Sequence, residues 1–409
     1  MLPWIPRAAL CAAFLPPLAA QAGDPLAADR PSAAGNHAFA ADLHRSLVRA
    51  APDQDLAFSP LSIRIALAMV RAGAEGETRA EIDRVLRFSG DDAALGAGWR
   101  AFESGLRARQ LHPGDGAPPR FEYGRADAGW VDRRLGLRSA YVERLRSTFG
   151  AEFAAVDFAD APEAARARIN AWVAERTAQR IPALLEPGDV DAGTALVLTD
   201  ALRAAGAWQT PLQVLPTRTF HGLAGDRTDV PFVGGRMRLP FHAGEGATAV
   251  ALPVEGGALA MVLVLPREGT TLAGFEAGLD GDALGEIVGG LAAPGAAASV
   301  DLALPRFEQR SPVVLNGALQ ALGLRRMFTS AAELGGIAEE PLAVSLVRHE
   351  AFVRVDEHGM EAAAATAVGV KRGSAPGGEP QVFHADRPFL FALVDRASRL
   401  ALFVGRIVR

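Results

Sequence analysis

Two different hydrophobic periods run along the chain, and the change between them falls near its middle. In "NHAFAADLHRSLVRA", residues 36 to 50, Phe39, Leu43 and Leu47 recur at helical spacing and predict an amphipathic helix. "AFSPLSIRIALAMVRAGAEGETRAEIDRVL" opens on Ser-Pro, a helix start, and places Ile63, Leu67 and Val70 on one buried face. A glycine turn follows, then a second helix around Ile82 to Leu86. The span 91 to 120 holds several Gly and Pro and predicts loop with one helix. Surface helices are predicted for "SAYVERLRSTFG" (139 to 150) and "APEAARARINAWVAERTAQRI" (161 to 181), the latter with Ile169, Trp172 and Val173 on a shared face.

From residue 194 onward strands dominate. "TALVLTDAL", "TAVALPV" and "GALAMVLVLP" are short apolar or alternating runs ended by Gly or Pro, and "RPFLFALVDRASRLALFVGRIVR" predicts a hairpin turning at Asp395 to Ser398. In "LAVSLVRHEAFVRVDEHG" the positions Val347, His349, Ala351, Val353 and Val355 fall on one face, while Arg348, Glu350, Arg354 and Asp356 point away. His349 is therefore expected inside a sheet or against a helix, buried and hydrogen-bonded. The strand spacing is not a βαβ rhythm, no repeat appears and no linker divides the chain, so one interlocked α+β domain is expected.

The full sequence has 409 residues, 49% hydrophobic and 22% charged, enough for a large core. Its formal net charge of -5 gives no general attraction to phosphate backbones, so nucleic acid is not an expected partner. The start "MLPWIPRAALCAAFLPPLAAQAG" has a basic residue, an apolar stretch too short to span a bilayer, and Ala20-Gln21-Ala22 before Gly23. That layout predicts a signal peptide over 1–22, a flexible lead over 23–35, and a secreted or periplasmic protein with no membrane partner. Cys11, the only cysteine, lies inside the predicted signal, so the mature chain would hold no disulfide.

Conventional sites are mostly absent; with 47 acidic residues, paired carboxylates stay open at this point. "RHEAFV" lacks the second histidine that would complete a helical metal pair, "GAEGET" is a helix-to-helix turn without a phosphate-binding lysine, and no serine sits in a nucleophile elbow. No cofactor, metal or catalytic residue is expected, and the chain does not read as an enzyme. Arg133, Arg134 and Arg138 could meet a polyanion, but without interleaved aromatics they read as a solvated face.

The segment "FVRVDEHGMEAAAATAVGVKRGSAPGGEP" is the unusual one. Ala362, Ala363, Ala364 and Ala365 favour a helical turn, yet Gly359 before them and the Gly, Ser and Pro after them do not. As a strand, one parity carries Met360, Ala362, Ala364, Thr366 and Val368, none of them charged. Were the segment to enter a sheet, that set could face a core while Glu361 stayed in water.

Here the sequence closely resembles the serpin family of protease inhibitors, in its bacterial type. The match runs through "NHAFAADLHRSL", "LAFSPLSIRIALAMVRAGAEGETRAEI", "INAWVAERTAQRI", "GAWQTPL", "TAVALPVEGGALAMVLVLP", "VDLALPRFE", "LQALGLRRMF", "VRHEAFV", "VDEHGMEAAAATA", "FHADRPFLFAL" and "LFVGRIV" in family order. The resemblance implies one domain over 36–409 with three β-sheets, eight or nine helices and an exposed reactive-centre loop, the hinge and loop together occupying 357–387. It also implies a suicide substrate. A serine protease attacks the loop, forms an acyl-enzyme, and is held in a covalent 1:1 complex as the cut loop inserts into the main sheet.

By the same resemblance Glu357 is the last fixed residue before the loop, and Arg306 is its ionic partner. Gly359, Met360 and the four alanines form the hinge, Met360 replacing the usual Thr. Ser59, Ser62, Asp200 and His349 match the polar cluster that controls sheet opening, with Asp200 where the family usually has Asn. Trp208 matches the tryptophan beneath the start of insertion. The reactive bond is expected at Arg372-Gly373, which implies a trypsin-like target; Lys371 and Ser374 mark alternative bonds. The interval from Glu357 to Pro388 is longer than in typical members. A monomer acting on a papain-like cysteine protease, or a non-inhibitory binding or chaperone-like member, stays open at this point.

Overall fold

The computed structural model describes residues 32–110, 120–361 and 379–408. The expected signal peptide and most of the lead, and the loop positions Ala362 to Ala365, Lys371, Arg372, Gly373 and Ser374, lie outside the described residues.

The first helix, Ala33–Ala50, begins earlier than its apolar spacing predicts, because Ser32 caps it and accepts from the Gly35 amide at 3.1 Å. Phe39, Leu43 and Leu47 are buried as the pattern requires. Helices Pro60–Gly73 and Gly76–Leu86 follow as predicted; every residue of Pro60–Gly73 is buried, which makes it the central helix of the molecule. Helix Asp92–Gln110 occupies most of the span expected to be loop with one helix. Helices Ser139–Phe149 and Pro162–Arg176 also form, and Trp172 packs edge-on against Trp130 with ring centroids 5.4 Å apart. Three short helices, Leu272–Gly278, Gly281–Leu291 and Asn316–Leu322, interrupt the strand-rich half. That makes nine α-helices among the described residues, within the number that the resemblance implies.

The strands pair into two hydrogen-bonded sheets. The six-stranded sheet runs Phe307–Val314, Val344–Val355, Gly359–Met360, Leu196–Ala207, Phe121–Asp132, Glu152–Val156. The nine-stranded sheet runs from Leu56–Phe58 through the hairpin of Ala401–Ile407 and Phe389–Asp395, then Leu259–Pro266, Ala247–Pro253, Arg227–Ala243, Ala297–Pro305 and Gln381–His384, with Gln213–His221 paired off the path. The third sheet that the resemblance implies is joined to the second through one strand. Residues 227–240 of Arg227–Ala243 pair with Gln213–His221 and Ala297–Pro305, while its last three residues pair with Ala247–Pro253.

In strand Val344–Val355 the odd positions from Val347 to Val355 are buried, as their alternation predicts. Arg348 and Glu350, expected to point away, are buried too, because chain following helix Pro162–Arg176 covers that face: Arg348 Nε donates to the Leu184 carbonyl at 3.0 Å. Glu350 is ion-paired with Arg310, and burial pushes its carboxyl above the ordinary range despite that partner.

Across the core from this sheet, His44, Glu276 and Arg406 form a buried triad. His44 Nε2 meets Glu276 Oε1 at 2.8 Å and Arg406 Nη1 meets Oε2 at 3.0 Å, all three residues being at most 3% exposed. Arg406 also donates to the carbonyls of Ala51, Pro52 and Gln54, which ties the chain between the first helix and first strand to the C-terminal hairpin. Removing Arg406 strips the buried Glu276 carboxylate of its guanidinium partner, so Arg406→Ala should lower stability by about 3–5 kcal/mol. Chemical denaturation would read this directly, and a loss below about 1 kcal/mol would contradict it.

Candidate functional site

Strands Leu196–Ala207 and Val344–Val355 lie side by side in parallel, from Val344↔Leu196 to Phe352↔Arg203. Beyond that pair they part, and the two-residue strand Gly359–Met360 stands between them. It is antiparallel to both, with Met360 opposite Val355 on one side and Gly206 on the other. A turn at Asp356 sends the chain back: Asp356 Oδ1 accepts from the amides of His358 at 2.8 Å and Gly359 at 3.2 Å. Gly359 is required by close approach, since a Cβ there would lie 2.1 Å from the Gly206 carbonyl oxygen.

Trp208 holds this turn from beneath, its backbone amide donating to the His358 carbonyl and its indole Nε1 to the Asp356 carbonyl, both at 2.8 Å. Arg306 Nη2 meets Glu357 Oε1 at 2.7 Å, the contact the resemblance implies; both side chains are partly exposed, so the pair is worth about 0.2–1 kcal/mol. The expectation that Glu357 is the last fixed residue is corrected: ladder pairing keeps the chain fixed through Met360, and the Glu361 amide still donates to the Arg354 carbonyl at 3.1 Å. Met360 enters the core at 2% exposure.

Glu361 takes the opposite face, as parity predicts, but not in water. It is 4% exposed, with its carboxylate ion-paired to Arg203 Nε at 3.1 Å and to Arg180.

Lower in the seam, the structure brings Ser59, Ser62, Asp200 and His349 together, all at 0% exposure. Ser59 caps helix Pro60–Gly73, its Oγ accepting from the Ser62 amide at 3.1 Å, which aims the helix N-terminus at the seam. His349 and Asp200 are register partners across the two parallel strands. His349 Nδ1 lies 2.5 Å from Asp200 Oδ1, the Ser59 amide donates to His349 Nε2 at 3.1 Å, and Ser62 Oγ donates to Asp200 Oδ1 at 2.7 Å. With Nε2 accepting, Nδ1 carries the proton and donates it to Asp200. The carboxylate that replaces an amide thus acts only as an acceptor, facing two donors and the positive end of a helix.

The profile of the family described as Serpin (serine protease inhibitor) matches residues 34–409. The chain belongs to the serpin family.

Among its relatives, Iripin-2 of Ixodes ricinus is 33% identical over 380 residues, covering 91% of this chain and 92% of that protein. The leukocyte elastase inhibitor of Bos taurus is 33% identical over 388 residues, covering 91% and 98%. Serpin48 of the insect Tenebrio molitor, described as a highly specific serpin, superposes with a TM-score of 0.79 at 25% identity, covering 92% of this chain and 97% of that one. These sources, a tick, cattle and an insect, show the family as a whole; they do not establish the bacterial type.

The serpin seam also contains groups that sequence reasoning missed. Strand Phe121–Asp132 sends Tyr123, Arg125 and Asp127 toward the core, and Asp127 stands directly opposite Asp200 in register. Arg125 joins Asp127 and Glu103, each at 2.8 Å. The alternation of polar residues at 123, 125 and 127 was the available signal, hidden by the intervening Gly124 and Ala126. The basic spot is spoken for: Arg133 pairs with Asp157 and Arg134 with Asp132, each at 2.8 Å, and Arg138 donates to the carbonyls of Gly335 and Ala338.

Burial, with Asp200 and Glu103 opposing the relief from Arg125, raises the Asp127 pKa well above the carboxylate range. The folded chain then binds this proton more tightly than the unfolded one, whose carboxyl titrates near ~3.9. Stability is therefore lost as pH rises from there toward the raised folded value. Asp127→Asn should raise the unfolding temperature at neutral pH and have no such effect in acid below the unfolded pKa. Melting curves across pH test it; destabilisation at neutral pH would mean that Asp127 is ionised and stabilising through Arg125.

Proposed function

We propose that this serpin is a monomeric, secreted or periplasmic suicide-substrate inhibitor of a trypsin-like serine endopeptidase, with Arg372-Gly373 as its reactive bond. The observation that carries the reading is the strand Gly359–Met360, which already stands between the two parallel seam strands and is antiparallel to both. A chain continuing along that path exchanges one parallel ladder for two antiparallel ones, the more stable pairing per residue.

In the proposed reaction the protease serine oxygen attacks the Arg372 carbonyl carbon. The bond to Gly373 breaks, Gly373 leaves as an amine with a proton from the protease, and Arg372 remains as an ester on the serine. The freed segment from Met360 to Arg372 has 13 residues. At ~3.3 Å per residue it reaches roughly 43 Å. Each seam strand has 12 residues, so the reach matches the path. Insertion must part His349 from Asp200, leaving Asp200 its bond from Ser62. The uncharged parity from Met360 through Val370 allows those side chains to enter the core without burying a charge.

Incubation with trypsin should yield a 1:1 adduct that survives denaturation, and mass spectrometry should find a released peptide that begins at Gly373. Arg372→Ala should slow adduct formation by about 100-fold or more, because the protease's anionic pocket loses its partner. Loop cleavage that leaves trypsin fully active, with the nicked protein melting at the uncut temperature, would refute the proposal. An adduct with papain and none with trypsin would move it to the cysteine proteases.

A further inference from the structure

Among the described residues, ladder pairing in the hinge reaches Met360, and Glu361 beside it is unusual in its backbone as well as its charge. The residue's φ of 48° is left-handed, which is unfavourable for a residue with a Cβ. Its two cationic partners come from different elements. Arg203 belongs to the closing pair Phe352↔Arg203, the last one before the seam strands part, and is also ion-paired with Glu122. Arg180 is delivered by the turn after helix Pro162–Arg176, where Ala178 and Gln179 have φ of 49° and 63°. Of the five non-glycine residues with positive φ among the described residues, one is Glu361 itself and two immediately precede its partner Arg180.

Further entry of the chain requires the Phe352↔Arg203 pair to part and Glu361 to swing into extended backbone. Both movements disturb a carboxylate that is 2% exposed at its side chain, and stripping partners from a buried charge is unfavourable. Burial works against the Arg203 charge, yet Glu122 and Glu361 hold its pKa above the ordinary value, so the cation is secure. We propose that Arg203 and Arg180 act on Glu361 as a stop that fixes the depth of hinge insertion and holds the uncut chain back from entering the seam unaided. The stop rests on the loop-insertion reading above. Arg203 and Arg180 are positioning residues; they touch neither the reactive bond nor the protease.

Glu361→Gln and Arg203→Gln remove the attraction while keeping the shape. Freshly purified, both variants should trap trypsin as the wild type does; on warm incubation their trapping capacity should decay about tenfold faster, one decade being 1.36 kcal/mol of barrier. The decayed protein should have unchanged mass and a higher unfolding temperature. The double variant should decay no faster than Glu361→Gln, which already removes both of the carboxylate's ion pairs. Arg203→Lys should recover most of the lifetime, and Glu122→Gln should decay as the wild type. Hydrogen exchange at Phe352 and Arg203, which should quicken in both Gln variants, reports on the stop without any protease. Unchanged decay with unchanged exchange would overturn it. If no form, the wild type included, traps trypsin, the inhibitor reading fails while the exchange comparison still decides the stop.

Discussion

The parallel pairing of Leu196–Ala207 with Val344–Val355 is the constraint around which the rest of the molecule is arranged. Parallel ladders are slightly weaker per residue than antiparallel ones, and neighbouring strands of one direction leave a lane that an antiparallel strand can occupy with both edges satisfied. At Gly359 and Met360 the exchange has already been made. Just below, the seam is closed, and what closes it is polar: His349 to Asp200 across the two strands, with Ser59 and Ser62 of the central helix pinning both. Apolar packing would hold the strands without regard to direction. A hydrogen-bonded cluster holds them at one register and lets go as a unit.

Placing a carboxylate in that cluster is an electrostatic problem with a local solution. Asp200 is wholly buried, and Asp127 faces it from the adjacent strand, so two acids share one face of the sheet. The helix N-terminus and two donors serve Asp200, while Arg125 serves Asp127 together with Glu103. The uneven provision keeps the two carboxyls distinct: one sits beneath a helix N-terminus with two donors, the other beside an arginine and a second acid.

Much of this was legible in the sequence, because the decisive elements are the most regular. Val344–Val355 alternates cleanly, so His349 was placed inside before any partner was known. The Ser-Pro start of helix Pro60–Gly73 likewise fixed where its N-terminus lies. Strand Phe121–Asp132 was not legible: its sequence runs polar, small and apolar in turn, and two of its inward polar residues, Arg125 and Asp127, are paired with each other. The same cause hid Arg348 and Glu350, whose outward face is roofed by chain distant in sequence. Glu361 was given the right side and the wrong surroundings, since parity is a local property whereas its two arginines lie about 160 and 180 positions earlier in the chain. The single strand linking two sheets was beyond reach for a related reason: each half of Arg227–Ala243 has an ordinary pattern, and only its partners differ.

That shared strand makes the scaffold mechanically uneven. Arg227–Ala243 is paired along nearly its whole length to one neighbour after another, so tension along it loads many hydrogen bonds at once, in shear. Tension at Glu361 would instead meet the seam end-on and load one rung at a time, beginning with Phe352 and Arg203. One half of the molecule thus behaves as a chassis and the other as a zip fastener, and displacement that begins at the hinge is channelled down a single track.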